Sequence, residues 1–411
     1  MEQTFLTAVN IAKVRHLQDI TIPLSNEKRK HLILTGKNGS GKTSVLNALE
    51  EHFLFVVGNF HTKKEIQSII DTFKHKQQMT ADIGEEAKHI AAQAQEGITR
   101  WEKEMLHWTS GAVSECTSFA DLRDKYAKGQ FILAYYKADR LSKVKVSTTI
   151  ENITLKDKYP LNETPGAELV KYMVGLKATQ AFALQKKDTS RAEEIEGWFA
   201  RFERILKKIF DDPSLRLDFD IDKFSFSILQ ENREPFDFNT MSSGYSAVFN
   251  IINDLIMRTE NQKNPLAEGI VLIDEIETHL HLELQKDILP FLTELFPNIQ
   301  FIISTHSPFI LSSTKNAVIY DLETRKIVQD GLAGFPYDGI VESYFDTDTL
   351  SNDLRTKLNR YRVLTAKDEL SDDDYAEIVE LEHDLDEIPD FLSPDIASEY
   401  SRMKLEFSNR E

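Results

Sequence analysis

From residue 4 to residue 35 apolar and polar positions alternate, in FLTAVNIAKV and QDITIPL, and the run closes on the apolar His31-Leu32-Ile33-Leu34. A period of two predicts strands. The period then changes: Ser44–Phe55 (SVLNALEEHFLF) spaces its large apolar residues as a helix does and holds no Gly or Pro, so Gly36–Lys42 is the loop of a strand, loop, helix unit. From about Asn59 to Lys128 the chain turns to Lys, Glu, Gln and Ala with helical periodicity and charges of both signs, which predicts a helical insertion. Two packings stay open for it, a short protruding hairpin or helices lying on the globular body. Phe131–Tyr136 (FILAYY) predicts a strand, and residues 145 to 165 a loop-rich stretch broken by Asn162 and Pro165. Helices follow from about Ala167 to Phe210, where Trp198, Phe199, Phe202, Ile205, Leu206 and Ile209 fall largely on one face, read as a core face. Leu215–Leu229 alternates like paired strands; Phe238–Ile256 is a glycine turn leading into a helix; Ile270–Ile273 is an apolar strand, Leu282–Phe296 a helix and Phe301–Ile303 a strand. Beyond residue 325, TLSNDLRTKLNRYRVL and DDDYAEIVELEHDLDEI read as helices.

Length and composition narrow the class. The 411 residues allow two to three domains, or one large domain with insertions. With 41% hydrophobic and 28% charged residues the chain is of ordinary globular composition, which excludes a disordered or fibrous protein. No apolar run approaches the roughly 20 residues of a membrane helix, and the start MEQTFLTAVNIAKVRHL lacks the pattern of a secretory signal. A single cysteine, Cys116, excludes an intrachain disulfide, and a reducing cytoplasm is the expected compartment. The net charge of -18 argues against a surface that grips nucleic acid throughout, while a local basic groove stays open. Ala366–Glu411 holds 16 acidic and 4 basic residues, so -12 of the -18 lies in the tail.

Gly36-Lys37-Asn38-Gly39-Ser40-Gly41-Lys42-Thr43 fits G-x-x-x-x-G-K-[ST], the phosphate-binding loop. Glycines let the backbone turn its amides inward as an anion nest, and the helix opened by Thr43 and Ser44 adds its positive end. Lys42 is expected on the β and γ phosphates and the Thr43 hydroxyl on Mg2+. Ile270-Val271-Leu272-Ile273-Asp274-Glu275 brings two carboxylates to the end of a buried strand: Asp274 for Mg2+ and Glu275 for polarising the attacking water. Met241-Ser242-Ser243-Gly244-Tyr245 stands just before an amphipathic helix and makes a second anion site, or a plain serine N-cap. One nucleotide does not need two cradles in one chain, so the pair predicts a site shared by two copies with two-fold symmetry. His279 and His281 with Asp274 and Glu275 also admit a metal-cluster reading.

With these motifs in hand the chain resembles the ABC-type ATPases, and among them the RecF, SMC and OLD group, over residues 4 to 56 and 236 to 325. The resemblance makes Ser242, Ser243 and Gly244 the ABC signature acting on the other subunit's nucleotide, although Met241, Ser243 and Tyr245 depart from LSGGQ. It makes His306, in Ser304-Thr305-His306-Ser307-Pro308, a sensor of the γ-phosphate, Glu277–His281 (ETHLH) the D-loop, and Arg15 a basic residue that reaches the nucleotide. Tyr135–Arg140 (YYKADR) occupies the place of a strand-end segment of OLD-like proteins, and no Q-loop glutamine is assigned. The expected fold is α/β: a P-loop ABC ATPase head with a mixed sheet (1–56 and 236–325), a helical insertion (57–130), a strand plus helical lobe leading to the signature (131–235), and an acidic helical tail (326–411). That tail reads as a docking or dimer-supporting element, or as solvated helices. It is too short for the TOPRIM nuclease domain of OLD proteins, so no nuclease site is expected. The implied function is an ATP- and Mg2+-dependent switch ATPase, homodimeric around ATP or part of a larger assembly. Its implied partner is a separate effector or nuclease protein, as in antiphage systems of the Septu or PARIS type, with no membrane. The alternative is a RecF-like ATPase that binds DNA in repair.

Overall fold

A computed structural model describes residues 3–58, 61, 63–79, 84–109, 111–139, 144–145, 149–151, 153–261, 266–335, 339–341, 352–367, 369–386 and 394–409. The chain divides into two compact units, Met1–Phe335 and Pro336–Glu411.

The first unit is built on a six-stranded sheet. Its strands are β3 (His31–Thr35), β5 (Phe131–Tyr136), β8 (Glu268–Ile273), β9 (Ile299–Ser304), β10 (Ala317–Asp321) and β11 (Ile327–Val328), in the order β11-β10-β3-β9-β8-β5. All neighbours are parallel except β10 and β11. Strands buried on both faces read as near-continuous apolar runs, and LIL, IVLI and FII do, with His31, Thr35, Gln300 and Ser304 as buried polar exceptions. A second, antiparallel sheet joins β1 (Leu6–Val14), β2 (Leu17–Pro23) and β4 (Gly111–Cys116) in the order β2-β1-β4. A two-stranded ribbon pairs β6 (Arg216–Asp220) with β7 (Ser225–Leu229), as the alternation of Leu215–Leu229 predicts.

One buried amide ties the two larger sheets together. Gln300, fully buried in β9, accepts from the Leu6 N–H at 2.7 Å and donates to the carbonyls of Leu6 and Lys30 at 3.1 and 2.7 Å. A glutamine in the middle of an apolar strand is tolerated because every polar atom of its side chain is satisfied.

The expected helical insertion also contains a strand. Helices α2 (Lys63–Met79) and α3 (Gly84–Thr109) are there, and Gln77 donates to Gln95 at 2.9 Å across them. Ile66, Ile70 and Trp108 belong to the same core as α1 (Lys42–Gly58), so one end of this pair packs on the body. The next residues, GAVSEC, form β4 along β1, followed by α4 (Phe119–Ala127). Six residues beginning with Gly and carrying Ser and Glu hold no strong strand signal; the open edge of β1 makes them a strand.

The helical lobe holds α5 (Leu169–Gln185) and α6 (Thr189–Ile209). The apolar stripe of α6 is buried as expected, except that Ile205 is only half-buried and lines a cavity of about 1180 Å³ with Tyr172, Phe182 and Trp198. The helix that follows the serine-glycine motif is α7 (Ser243–Glu260); α8 (Leu282–Leu295) and the short α9 (Pro308–Leu311) follow β8 and β9. Residues 326–335, assigned to the tail by sequence, belong to the first unit because Ile327 and Val328 pair with Tyr320 and Ile319.

Among the described residues of the second unit, the helices Asn352–Thr365, Asp372–Asp386 and Pro394–Ser408 surround a core of Leu358, Tyr361, Leu364, Ile378, Leu381, Leu385, Tyr400 and Met403. Several of its bases pair with its own acids, as in Arg360–Glu377, Arg362–Glu399 and Lys404–Asp386. Residues 349–351 and 387–388 of the two predicted tail helices lie outside the described residues.

Candidate functional site

Parallel strands end on a common edge, and that edge collects the chemistry. Register places Leu34 opposite Ser304, Thr35 opposite Asp321, and Ile273 opposite both Ile303 and Tyr136. The residues that leave these strand ends are therefore neighbours, although up to 286 positions separate them in sequence.

The phosphate loop leaves β3. Gly36, Gly39 and Gly41 hold φ values of +130°, +86° and +101°, which side-chain-bearing residues avoid. A Cβ on Gly36 would stand 2.9 Å from Ser40 Oγ, and one on Gly41 2.9 Å from Leu17 Cδ1. The second contact brings in the β1–β2 turn: Arg15 (φ 52°) and His16 form it, so the turn carrying Arg15 flanks the loop, with the Arg15 side chain exposed. Lys42 opens α1, buried, and its Nζ folds back to donate to the carbonyls of Gly36 (2.9 Å) and Lys37 (3.3 Å). Burial pushes its ammonium below the ordinary lysine range, and Glu275, Glu277, Asp274 and Asp321 oppose that fall. Lys37 is paired with Glu323 at 3.0 Å; Asn38, Gly39 and Thr43 are exposed and Ser44 half-buried.

Asp274 is buried at the end of β8. Its N–H donates to the Tyr136 carbonyl at 2.8 Å and its Oδ1 accepts from the Ser304 hydroxyl at 2.5 Å. Ser304 Oγ in turn accepts the N–H of Glu275 at 2.8 Å, so one hydroxyl from β9 orders both acids. Glu275 holds φ 44°, a left-handed conformation that costs a non-glycine residue roughly 1–3 kcal/mol and that collects at functional sites. His306, half-buried, gives its backbone N–H to Glu277 Oε1. Burial first, then Lys42, lower its pKa, and Glu277, Glu275 and Asp274 oppose the shift. Its ring is therefore neutral near neutral pH.

Ser242 and Ser243 are exposed and Gly244 is buried; a Cβ there would stand 2.6 Å from the His279 carbonyl, so the start of α7 lies on the Glu277–His281 loop. Ser242 makes no side-chain cap bond, which removes the plain N-cap reading, and neither hydroxyl is bonded to the phosphate loop. His279 and His281 are exposed, and no group of three His, Cys, Asp or Glu suited to a metal ion occurs among the described residues.

Sequence reasoning missed a second cluster. Tyr136, the last residue of β5, donates through its hydroxyl to Asp254 Oδ2 at 2.7 Å; Arg258 Nε donates to the same oxygen at 2.6 Å, and the Gly166 N–H to Oδ1 at 3.1 Å. The helix that begins at the serine-glycine motif is thereby fastened to the strand whose carbonyl holds Asp274. Only the i, i+4 spacing of Asp254 and Arg258 was visible in the sequence. Arg140 of the predicted strand-end segment lies outside the described residues.

The residues present fit a nucleoside triphosphate with a divalent cation. Ser40 Oγ, Glu277 Oε2 and His306 Nε2 are buried polar atoms without partners at this edge, and the loop's glycines leave its backbone open. If Mg2+ binds with the nucleotide, Thr43 and Asp274 would be the residues to hold it, and it would neutralise phosphate charge.

Fold and site together resemble those of ABC/AAA-like P-loop ATPases. A family profile described as "AAA domain, putative AbiEii toxin, Type IV TA system" matches residues 158–312, which include the serine-glycine motif, Asp274, Glu275 and His306 but not the phosphate loop. The chain is 24% identical to the Septu protein PtuA of Bacillus mycoides over 88% of its own length and 48% of that protein's. It is 28% identical to the "Retron Vc95 probable ATPase" of Vibrio cholerae over 49% of its length and 38% of that protein's. The chain thus spans about half or less of the length of these curated relatives. The SMC head domain from Thermotoga maritima aligns with 77% of this chain and 94% of its own, at 12% identity and a TM-score of 0.36. The resemblance is to ABC/AAA-like ATPases of antiphage type. No helix among the described residues is long and apolar enough to cross a membrane.

Proposed function

We propose that the chain binds ATP with Mg2+ and hydrolyses it, two copies closing on the nucleotide, and that this cycle controls a separate effector protein in bacterial antiphage defence, in the cytoplasm. The observation that carries the ATPase reading is the convergence of Lys42, Asp274, Glu275 and His306 on one sheet edge. His306 feels the charge of Lys42, and both groups feel all three acids of the Asp274–Glu277 segment. In this reading the loop amides, Lys42 and Ser40 hold the phosphates. Glu275, positioned through Ser304, takes a proton from the attacking water. His306 sits by the terminal phosphate, and Arg15 reaches the nucleotide from the β1–β2 turn.

Support for a second copy comes from Ser242 and Ser243: exposed, uncapped and at a helix N-terminus, they are available to another chain's phosphates. Support for the defence role, and with it for an effector partner, comes from the Septu and retron relatives.

The test uses the full chain. Wild type should hydrolyse ATP; Lys42→Ala should lose nucleotide binding; Glu275→Gln should bind ATP, turn over poorly and run as a dimer on gel filtration with ATP. Unchanged affinity in Lys42→Ala, or wild-type turnover in Glu275→Gln, refutes the assignments. Tagging the chain in its native operon and recovering it in ATP should yield a neighbour-encoded effector; recovery with DNA and recombination proteins instead refutes the defence reading.

A further inference from the structure

The ATPase reading gives tasks to Asp274 and Glu275 and none to Glu277, which the family resemblance placed only in the D-loop. Its surroundings are specific. Oε1 accepts the backbone N–H of His306, across 29 residues, while Oε2 is buried and has no partner. The rest of the His306 segment is held from other directions: the Thr305 N–H donates to the Leu34 carbonyl at 3.0 Å, just before the phosphate loop, and the Ser307 hydroxyl donates to Gln285 at 2.6 Å on α8. Ser304 is locked to Asp274 and Glu275. Among these four residues, His306 is the one whose backbone is fixed by a carboxylate, and its ring carries the buried, unpartnered Nε2. Glu277 itself is fixed on both sides, by the Ile276 N–H to the Ser304 carbonyl (3.1 Å) and the Leu280 N–H to its own carbonyl (2.8 Å).

We propose that Glu277 is a positioning residue for hydrolysis: its Oε1 clamps the His306 amide and so sets where the His306 ring stands relative to Lys42 and the terminal phosphate. This rests on the ATPase reading. It also accounts for the acid's place beside both groups, since Glu277 is first among the acids felt by His306 and second among those felt by Lys42. Glutamine at 277 keeps a carbonyl oxygen for the clamp, aspartate is one methylene short of the amide, and alanine has no acceptor.

The experiment measures kcat and ATP affinity for full-length wild type, Glu277→Ala, Glu277→Asp and Glu277→Gln, with far-UV circular dichroism and thermal midpoint as folding controls. Glu277→Ala and Glu277→Asp should lose about 10- to 100-fold in kcat, the scale of a side chain displaced by about an ångström. Their affinity for a fluorescent ATP analogue should stay within about threefold. Glu277→Gln should recover most of the rate. An unchanged kcat in Glu277→Ala, or a Glu277→Gln as defective as Glu277→Ala in a folded protein, overturns the clamp. If wild type itself shows no turnover, the ATPase reading falls and takes this inference with it; wild-type turnover with an indifferent Glu277→Ala removes this inference alone.

Discussion

The sharpest energetic consequence concerns Arg258, 3% exposed beside Asp254 at 2%. Its guanidinium donates to Asp254 Oδ2, to the carbonyls of Leu133, Tyr159 and Pro160 at 3.2–3.3 Å, and to that of Glu163. Arg258→Met keeps the apolar stem and removes every one of these donors. Four carbonyls, two of them in buried bonds, lose a partner, and Asp254 keeps only the Tyr136 hydroxyl and the Gly166 N–H. Breaking a buried pair by removing one member costs about 3–5 kcal/mol, because the remaining charge is uncompensated. The two donors left on Asp254 place the expectation near the lower end. Lysine should not rescue, since it has no planar fork to serve several carbonyls. All three tryptophans, Trp101, Trp108 and Trp198, lie in the first unit, so tryptophan fluorescence in urea follows that unit. Tyr136→Phe should cost about 1.5–3 kcal/mol alone, the scale of one hydrogen bond to a charged group, and should combine non-additively with Arg258→Met because both act on Asp254 Oδ2. A loss below about 1 kcal/mol in Arg258→Met would refute the argument that this cluster fastens α7 to β5.

Three further outcomes follow from local geometry. His31, buried, accepts the Phe301 N–H on Nδ1 at 3.0 Å, and burial, then Arg29, lower its pKa to about 3. Against an unfolded value of about 6.5, its contribution is complete above pH 6.5 and is lost as pH falls towards 3, about 2 kcal/mol by pH 5. His31→Asn should flatten that part of the pH dependence in urea titrations at pH 7 and 5; an unaltered slope contradicts it. Burial pushes the Cys116 thiol up to about 12, so it should react with a thiol reagent at pH 8 far more slowly than free cysteine, and at the ordinary rate in urea; native reactivity equal to free cysteine would overturn this. In Gly244→Ala the new methyl stands 2.6 Å from the His279 carbonyl, which should cost about 1–3 kcal/mol by overpacking; an unchanged fluorescence midpoint excludes the close approach.

Much of the site could be read from the chain because its parts are local. A glycine loop between a strand and a helix, or two acids after four apolar residues, are set by backbone sterics and periodicity within a dozen positions, so Lys42, Asp274 and their elements were legible directly. The same holds for β6 with β7 and for the buried stripe of α6. What lay beyond reach were partners chosen by closure over long separations. GAVSEC became a strand because β1 offered an edge, and Gln300 became a junction because Leu6, 294 residues away, met it. Ser304 looked like the end of an apolar run until the β8–β9 register set it against Asp274, and Glu277 like a loop acid until β9 delivered the His306 amide. By itself the sequence determined the kinds of elements and the chemical groups at their ends, since both follow from interactions between chain neighbours. Which of those groups share a hydrogen bond was decided only by tertiary packing, where strand register and the need to satisfy buried polar atoms select one partner among many.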